Sequence, residues 1–230
     1  MASPNILYIH SHDTGRAIQP YGHAIPTPNM QRLAEEGILF RQNFCAGPTC
    51  SPSRAALLTG QSPHSAGMIG LAHRGFRMAD YSHHIVHTLR KGGYRSALIG
   101  FQHVMAHDER DQIGYDDTHR GKGYHVAEVA PVAAKWLEAG PPEPFFLSVG
   151  FSETHRDWDD LSAEADPRYV RVPDPIPDTP ETRRDMAGFI EKVKIFDHGV
   201  GHVLDALQAA GLAENTLVIN TTDTALPSPA

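Results

Sequence analysis

The chain alternates short apolar runs with longer segments in which apolar residues recur at helical spacing. Four short runs, each bounded by glycine or polar residues, predict buried strands at 6–9, 95–99, 145–149 and 216–219. Between them, the periodicity and its start and stop signals predict helices at 28–36, 50–60, 84–91, 126–137 and 181–210. Pro131 predicts a break in the fourth helix, and residues 38–44 are predicted to be extended.

The longest predicted helix, 181–210, carries a stripe of apolar residues on one face: Met186, Ile190, Val193, Val200, Leu204 and Leu207. Such a stripe is typical of a buried core face. The preceding segment, 157–180, is rich in proline and aspartate, which predicts a long surface excursion. The order of strands and helices predicts an α/β fold, with a mostly parallel central sheet and helices on both faces.

Each of the four predicted strands is followed by a loop with a side chain that can bind or catalyse: Asp13, His103, His155 and Asp223. Ligands of such sheets bind beyond the carboxyl ends of the strands, so we expect these side chains to meet at one edge. Each also has an ordinary interpretation, because loop aspartates often cap turns and most of the 15 histidines must be incidental. Their joint placement favours a functional site.

Composition narrows the class of protein. The 230 residues are 40% hydrophobic and 20% charged, which is typical of a soluble globular protein. A net charge of -7 offers no basic surface for nucleic acid, and no apolar run is long enough to span a membrane. Two cysteines cannot form a disulfide framework. The first predicted strand follows Pro4 directly with no secretory leader, which predicts a cytoplasmic location.

The most informative stretch is 50–60, which reads Cys-Ser-Pro-Ser-Arg-Ala-Ala-Leu-Leu-Thr-Gly. Pro52 suits the first turn of a helix and Gly60 suits its end, so the stretch predicts a tight turn leading into a short helix. Amide hydrogens and the helix dipole at such a start favour a bound oxyanion, and Arg54 adds a cation. The ordinary alternative is a buried thiol beside a surface charge.

This stretch resembles the sulfatase signature, in which the cysteine is oxidised to formylglycine by a formylglycine-generating enzyme. From Asn5 to Asp223 the chain is similar to the heparan N-sulfatase branch of that family, within the alkaline phosphatase superfamily. The resemblance implies that Cys50 is the precursor of the nucleophile. It also implies that Arg54 fixes this residue and contacts the sulfate or the metal shell.

The resemblance further implies one divalent metal ion. Where the family has two aspartates after its first strand, this chain has His12 and Asp13. Asp13 and Asp223 are then the anionic ligands, with modified Cys50 and the residue after Asp223, here Thr224, completing the shell. Oxygen ligands suit Ca²⁺ first, and also Mg²⁺ or Mn²⁺, whereas His12 is a less usual ligand.

Two histidines and an arginine correspond to catalytic or substrate-binding positions of the family. His103 matches the histidine of the Gly-Lys-x-His motif, although Phe101 replaces its lysine. His155 and Arg156 match a loop whose histidine assists the leaving oxygen and whose arginine binds substrate. In the implied mechanism a formylglycine hydroxyl attacks sulfur, a histidine protonates the departing group, and the hemiacetal then collapses to release sulfate.

Three functions remain open from the sequence. The first is hydrolysis of sulfate esters or sulfamates on a small molecule or saccharide. The second is hydrolysis of phosphonate monoesters or phosphodiesters, which better tolerates the missing lysine. The third is an inactive fragment, because the chain spans only the first half to two thirds of the expected family length. A domain covering 1–230, without the smaller carboxy-terminal subdomain, is therefore the expectation.

The last residues point to a shifted reading frame. After its last strand the family has Asp-His-Gly-Ile-Ala-Phe-Pro-Arg-Ala, whose first residue corresponds to Asp223 and whose second residue, a metal ligand, corresponds to Thr224. Deleting one base from plausible codons for that sequence reproduces every residue of 223–230 in this chain. We therefore expect a frameshift just after Asp223, which would leave apolar surface uncovered.

Overall fold

The computed structural model describes residues 3–119, 121–158, 165–174 and 176–224. Its centre is a sheet of five strands in the order β3-β2-β4-β1-β5, and every neighbouring pair is parallel. The strands are β1 (Asn5–Ser11), β2 (Arg95–Gly100), β3 (Asp117–His119), β4 (Phe145–Gly150) and β5 (Thr216–Thr222). The prediction of a mostly parallel α/β sheet is confirmed. The short strand β3 was missed because its three residues, Asp-Thr-His, carry no apolar pattern.

Helices cover both faces of this sheet, as predicted. They are α1 (Pro28–Glu36), α2 (Cys50–Thr59), α3 (Pro63–Ala66), α4 (Ile85–Lys91), α5 (Val126–Glu138) and α6 (Pro180–Ala209). Successive strand residues point to opposite faces. Leu7 and Ile9 therefore pack in one core with residues of α5 and α6, whereas Tyr8 packs with Phe146 and with Val86 of α4 on the other face. None of the described helices has the length and apolar character needed to cross a membrane.

One local prediction, the break of the fourth helix at Pro131, is wrong. Helix α5 continues through Pro131, whose ring is exposed while Ala130 and Ala133 are buried in the main core. Packing of the opposite face holds the helix together despite the missing amide hydrogen. Residues 38–44 form no strand, and three of their apolar side chains, Ile38, Phe40 and Phe44, are largely exposed. Extended sequence character alone does not make a strand when no neighbouring strand pairs with it.

The predicted surface excursion, 157–180, lies partly outside the described residues, which omit 159–164 and 175. Its described part is mostly irregular, with one short turn of 3₁₀ helix at Pro167–Tyr169. Trp158 and Val170 are nevertheless buried in the main core. The excursion is therefore anchored to the fold at these two apolar side chains.

Candidate active site and metal centre

The candidate site lies where the carboxyl ends of the strands meet the first turn of α2. Because β1 and β5 are parallel neighbours with Ser11 opposite Thr222, the residues that follow them come together. The backbone N–H of Asp13 donates to Asp223 Oδ1 at 2.9 Å. Asp13 has a φ of 64°, in the left-handed region that few non-glycine residues adopt. The fold thus holds Asp13 in an uncommon conformation beside Asp223, as functional sites often require.

Arg54 lies inside the site with 3% of its surface exposed. Its Nε donates to Asp223 Oδ2 at 2.9 Å and its Nη2 to the carbonyl oxygen of Ser11 at 2.8 Å. Burial opposes ionisation of Asp223, but the charges of Arg54 and His12 outweigh it and lower the pKa of that carboxyl to about 2. Arg54 therefore keeps Asp223 anionic and fixes its orientation.

Sequence reasoning missed His10, which is the third partner of Arg54. The two side chains meet at 2.6 Å between Arg54 Nη1 and His10 Nδ1, and His10 Nε2 lies 3.3 Å from Ser148 Oγ. Burial, followed by the charge of Arg54, holds the pKa of His10 well below its usual value, so the ring is neutral and accepts from Arg54. The available signal was a histidine directly after the apolar run 6–9.

Cys50 is the first residue of α2 and is half-buried as a free thiol. Burial, and then the charges of Asp223 and Asp13, raise the pKa of the Cys50 thiol to about 12. The thiolate is the reactive form of cysteine, so the unmodified side chain is a poor nucleophile at neutral pH. Chemistry at this position is therefore better served by a modified side chain.

The donor atoms of four residues could surround one cation. Single ligand atoms of His12, Asp13, Cys50 and Asp223 all lie within 4.8 Å of one another. His12 Nδ1 is 3.2 Å from Asp13 Oδ2 and 3.4 Å from Asp223 Oδ2, yet this buried nitrogen forms no hydrogen bond. A buried imidazole nitrogen facing two carboxylates without hydrogen-bond alignment is suited to a cation between them. The residues present therefore fit a divalent ion.

Thr224 contacts both carboxylates of this group. Its backbone N–H donates to Asp223 Oδ1 at 2.8 Å, and its hydroxyl donates to Asp13 Oδ1. The hydroxyl of Ser53 on α2 donates to the carbonyl oxygen of Asp223 at 2.5 Å. These bonds fix the end of β5 against the first turn of α2. Residues 225–230, which contain the rest of the expected frameshift, lie outside the described residues.

His103 and His155 both border His12. Their ring centroids lie 5.6 Å and 4.4 Å from that of His12. His103 is paired with His73, at 2.9 Å between His103 Nε2 and His73 Nδ1. Burial, followed by the charge of neighbouring His12, lowers the pKa of His103 to about 3. His155 has about half of its side chain exposed, and its Nε2 lies 4.0 Å from Asp13 Oδ2. No sequence signal distinguished His73 from the other loop histidines.

Two further side chains have partners that the sequence did not indicate. The guanidinium of Arg156 pairs with Asp185 of α6 and lies 4.1 Å from the centroid of the Trp158 ring. A substrate-binding function for Arg156 would therefore require release of that ion pair. Phe101, at the position of the family lysine, lies under the guanidinium of Arg54. The distance between its ring centroid and Arg54 Cζ is 5.1 Å. An aromatic face thus replaces a second cation here.

Comparison with known proteins identifies the family. The sulfatase family model matches residues 4–227. This chain belongs to the sulfatase family. It is 32% identical to human N-sulphoglucosamine sulphohydrolase over 259 residues, which covers 98% of this chain and 51% of that protein. The predicted likeness to the heparan N-sulfatase branch is confirmed. The chain spans about half the length of this curated relative.

Solved structures confirm the fold of this sulfatase family member. A protein in complex with its substrate D-glucosamine-2-N,6-O-disulfate superimposes with a TM-score of 0.74 at 18% identity, over 96% of this chain and 65% of that one. The phosphonate monoester hydrolase of Agrobacterium radiobacter superimposes with a TM-score of 0.77 at 19% identity, over 96% of this chain and 62% of that one. At this identity the likeness concerns the fold alone.

Proposed function

We propose that this chain carries the nucleophile and the metal-binding residues of a sulfatase that hydrolyses a sulfate ester or sulfamate on a saccharide. The observation that carries the proposal is the position of Cys50, at the start of α2 and within reach of His12, Asp13 and Asp223. Family membership supports the reaction class. The names of the relative and the solved complex, which concern sulfated glucosamine, support the class of substrate.

Cys50 is the residue we propose to be converted to formylglycine by a formylglycine-generating enzyme. The hydrated aldehyde supplies a hydroxyl nucleophile. The chain's contribution is to hold residue 50 at a helix start, where free amide hydrogens and the helix dipole favour the incoming anionic group. The ten residues of α2 are enough for a defined helix terminus.

Asp13, Asp223 and His12 would hold one divalent ion, with residue 50 as a further ligand. Ca²⁺ is the first candidate and Mg²⁺ or Mn²⁺ are the alternatives, because two of the four donors are carboxylate oxygens and modified residue 50 would add a third oxygen. When bound, the ion supplies positive charge against the developing charge on the sulfate oxygens. Arg54 keeps Asp223 anionic, and the Thr224 hydroxyl orients Asp13. Thr224 is thus proposed to act at the metal centre through its contacts with the carboxylates.

His155 is proposed to donate the proton to the leaving oxygen or nitrogen, because its ring borders the site and is half exposed to an incoming substrate. His103 is more deeply placed and is held by His73, so we assign it to hold the substrate beside residue 50. Arg156 would add a substrate contact once it leaves Asp185.

The test is co-expression with a formylglycine-generating enzyme, followed by peptide mass spectrometry and activity assays. Conversion lowers the peptide mass by about 18 Da. The tryptic peptide between Arg41 and Arg54 contains both cysteines, so fragment ions must locate the change at Cys50 and not at Cys45. Release of sulfate from glucosamine N-sulfate is expected for the parent and for Cys45→Ala, and is expected to vanish in Cys50→Ala. Sulfate release by Cys50→Ala would refute the proposal.

A second candidate function is hydrolysis of phosphonate monoesters or phosphodiesters. The observation that favours it is Phe101, which places an aromatic ring over Arg54 where the family lysine would neutralise a sulfate. The same purified chain should be assayed with a phenylphosphonate monoester and with glucosamine N-sulfate. A larger kcat/KM for the phosphonate would select this alternative. Conversion of Cys50 without turnover of either substrate would select the inactive fragment.

A further inference from the structure

A second set of metal-binding atoms overlaps the proposed metal centre without using its carboxylates. Cys50 offers a sulfur, and His12 and His103 each offer an imidazole nitrogen, all within 4.8 Å of one another. One thiolate and two imidazoles form a different chemical environment from a group of carboxylates. Such a set prefers zinc and similar ions, whereas carboxylates prefer calcium and magnesium.

One ring nitrogen of each of these histidines forms no hydrogen bond. His12 Nδ1 and His103 Nδ1 are both buried without a hydrogen-bond partner, and His12 as a whole is 2% exposed. A buried polar atom without a partner is costly, so each such atom in a native fold calls for a ligand or another explanation. Two of them beside one thiol point to a common ligand.

His73 prepares His103 for this function. The 2.9 Å contact joins His103 Nε2 to His73 Nδ1, and the two rings are nearly parallel, with an interplanar angle of 10°. When His103 Nε2–H donates in this contact, the lone pair of the ring lies on the unpartnered Nδ1. Metal-binding histidines are commonly oriented in this way, through a hydrogen bond of the other ring nitrogen.

The carboxylates are less available than the imidazoles in the thiol form. Asp223 Oδ2 accepts from Arg54, and Asp223 Oδ1 accepts from the backbone N–H groups of Asp13 and Thr224. Asp13 Oδ1 accepts from the hydroxyl of Thr224. A cation that relies on these oxygens must share them with existing donors. The two imidazole nitrogens form no hydrogen bond, although His12 Nδ1 lies 3.2 Å from Asp13 Oδ2 and 3.4 Å from Asp223 Oδ2.

We infer that the chain with unmodified Cys50 binds Zn²⁺ through Cys50 Sγ, His12 and His103. On binding, the Cys50 thiol loses its proton to solvent and a sulfur–zinc bond forms, with no change of oxidation state. Zinc bonds to sulfur and nitrogen are about 2.0–2.3 Å long, so the ligand atoms must approach one another by about 1 Å, within reach of side-chain rotation. Three protein ligands leave a fourth position for water.

Zinc binding by the unmodified chain is separate from the sulfatase reaction, which requires residue 50 in its modified form. Conversion of Cys50 to formylglycine would remove the sulfur and replace it by oxygen. The chemical state of residue 50 would then decide which metal the site prefers: zinc with the thiol, and calcium or magnesium with the aldehyde hydrate. Zinc would also shield the thiol against modification.

The first experiment uses the full chain expressed without a formylglycine-generating enzyme and stripped of metal by a chelator. Titration with Co²⁺ should give a near-ultraviolet sulfur-to-cobalt charge-transfer band and visible bands of four-coordinate cobalt, both removed by stoichiometric Zn²⁺. Cys50→Ser and His103→Gln should abolish the charge-transfer band, whereas the matched control Cys45→Ser should retain it. A band that survives in Cys50→Ser, or is lost in Cys45→Ser, would overturn the inference.

A second measurement needs no variant. The two free cysteines of the parent chain are alkylated with iodoacetamide, with and without Zn²⁺, and each site is followed by peptide mass spectrometry. Zinc should slow the alkylation of Cys50 by about tenfold or more and leave exposed Cys45 unaffected, because the bound thiolate is no longer free to react. Ca²⁺ should protect neither. Equal rates at Cys50 with and without zinc would refute the site, whatever the outcome of the sulfatase assays.

Discussion

Arg54 and Asp223 form a buried ion pair that joins helix α2 to the residue directly after β5. Arg54 Nε and Nη2 both lie 2.9 Å from Asp223 Oδ2, and the two side chains are 3% and 1% exposed. The sequence resemblance assigned Arg54 to the sulfate or the metal shell. In the structure its charge is committed to a proposed metal ligand, so it acts on the centre through Asp223.

Removal of this arginine should be severely destabilising. Arg54→Ala leaves Asp223 buried without its counter-charge, and breaking a buried pair on one side costs about 3–5 kcal/mol. Arg32→Ala is the matched control, because Arg32 pairs with Asp205 at 3.2 Å on the surface and exposed pairs contribute at most about 1 kcal/mol. Urea unfolding measures both. Similar free energies of unfolding for the two variants would contradict the inferred importance of the buried pair.

Loss of Asp13 should weaken binding of divalent metal. Changing a group that only orients a metal ligand typically costs about 10–100-fold in affinity, so Asp13→Asn should cost at least that much. Thr224→Ala, which removes the hydroxyl bound to Asp13, should lower affinity by about tenfold. Calorimetric titration with Ca²⁺, Mg²⁺ and Mn²⁺ tests both variants, with exposed Asp205→Asn as control. Unchanged affinity in Asp13→Asn would exclude Asp13 from the metal centre.

Gly150 should tolerate no side chain. An added Cβ would lie 2.0 Å from the carbonyl oxygen of Phe101 and 2.4 Å from the His10 ring, the partner of Arg54. Gly150→Ala should therefore cost more than about 3 kcal/mol or prevent folding, since backbone atoms cannot give way. Gly140→Ala serves as control, because Gly140 has a φ of 68° but open space around it, which limits the cost to about 1–2 kcal/mol. In thermal unfolding, Gly150→Ala should therefore lower the melting temperature more than Gly140→Ala does.

His84 should make the stability of the chain sensitive to acid. Burial, followed by the charge of His87, lowers the pKa of His84 to about 3, well below the usual value near 6.5. Between these pH values the unfolded chain binds a proton that the folded chain does not. The stabilisation is therefore fully present above about pH 6.5 and falls by about 1.4 kcal/mol per pH unit as the pH drops towards 3.

The matching variant is His84→Asn, because the asparagine oxygen can replace His84 Nδ1 as the acceptor that caps α4. Between pH 7.5 and pH 5 this variant should lose about 2 kcal/mol less stability than the parent in urea unfolding. His83→Asn, at an exposed neighbouring position, should follow the parent. If all three proteins showed the same pH dependence, His84 would not be the acid-sensitive group.

The sequence alone determined most of the fold and the location of the candidate site. Strands β1, β2, β4 and β5 and the long helix α6 follow from local apolar periodicity, which is set by the geometry of each element. Parallel order then brings their following loops to one edge. The stretch beginning at Cys50 carried the sulfatase resemblance, because its helix-start signals and its reactive residue are contiguous in the chain.

The tertiary structure decided which partner each side chain takes. Arg54 meets Asp223 across 169 positions of sequence, His103 meets His73, and Arg156 turns to Asp185. Tertiary packing also keeps α5 helical through Pro131. It leaves residues 38–44 without a partner strand and adds the short polar strand β3 to the sheet. Periodicity records which face of an element is buried, but hydrogen bonds and ion pairs depend on distances between elements that are remote in sequence, and these exist only after the sheet and helices have packed.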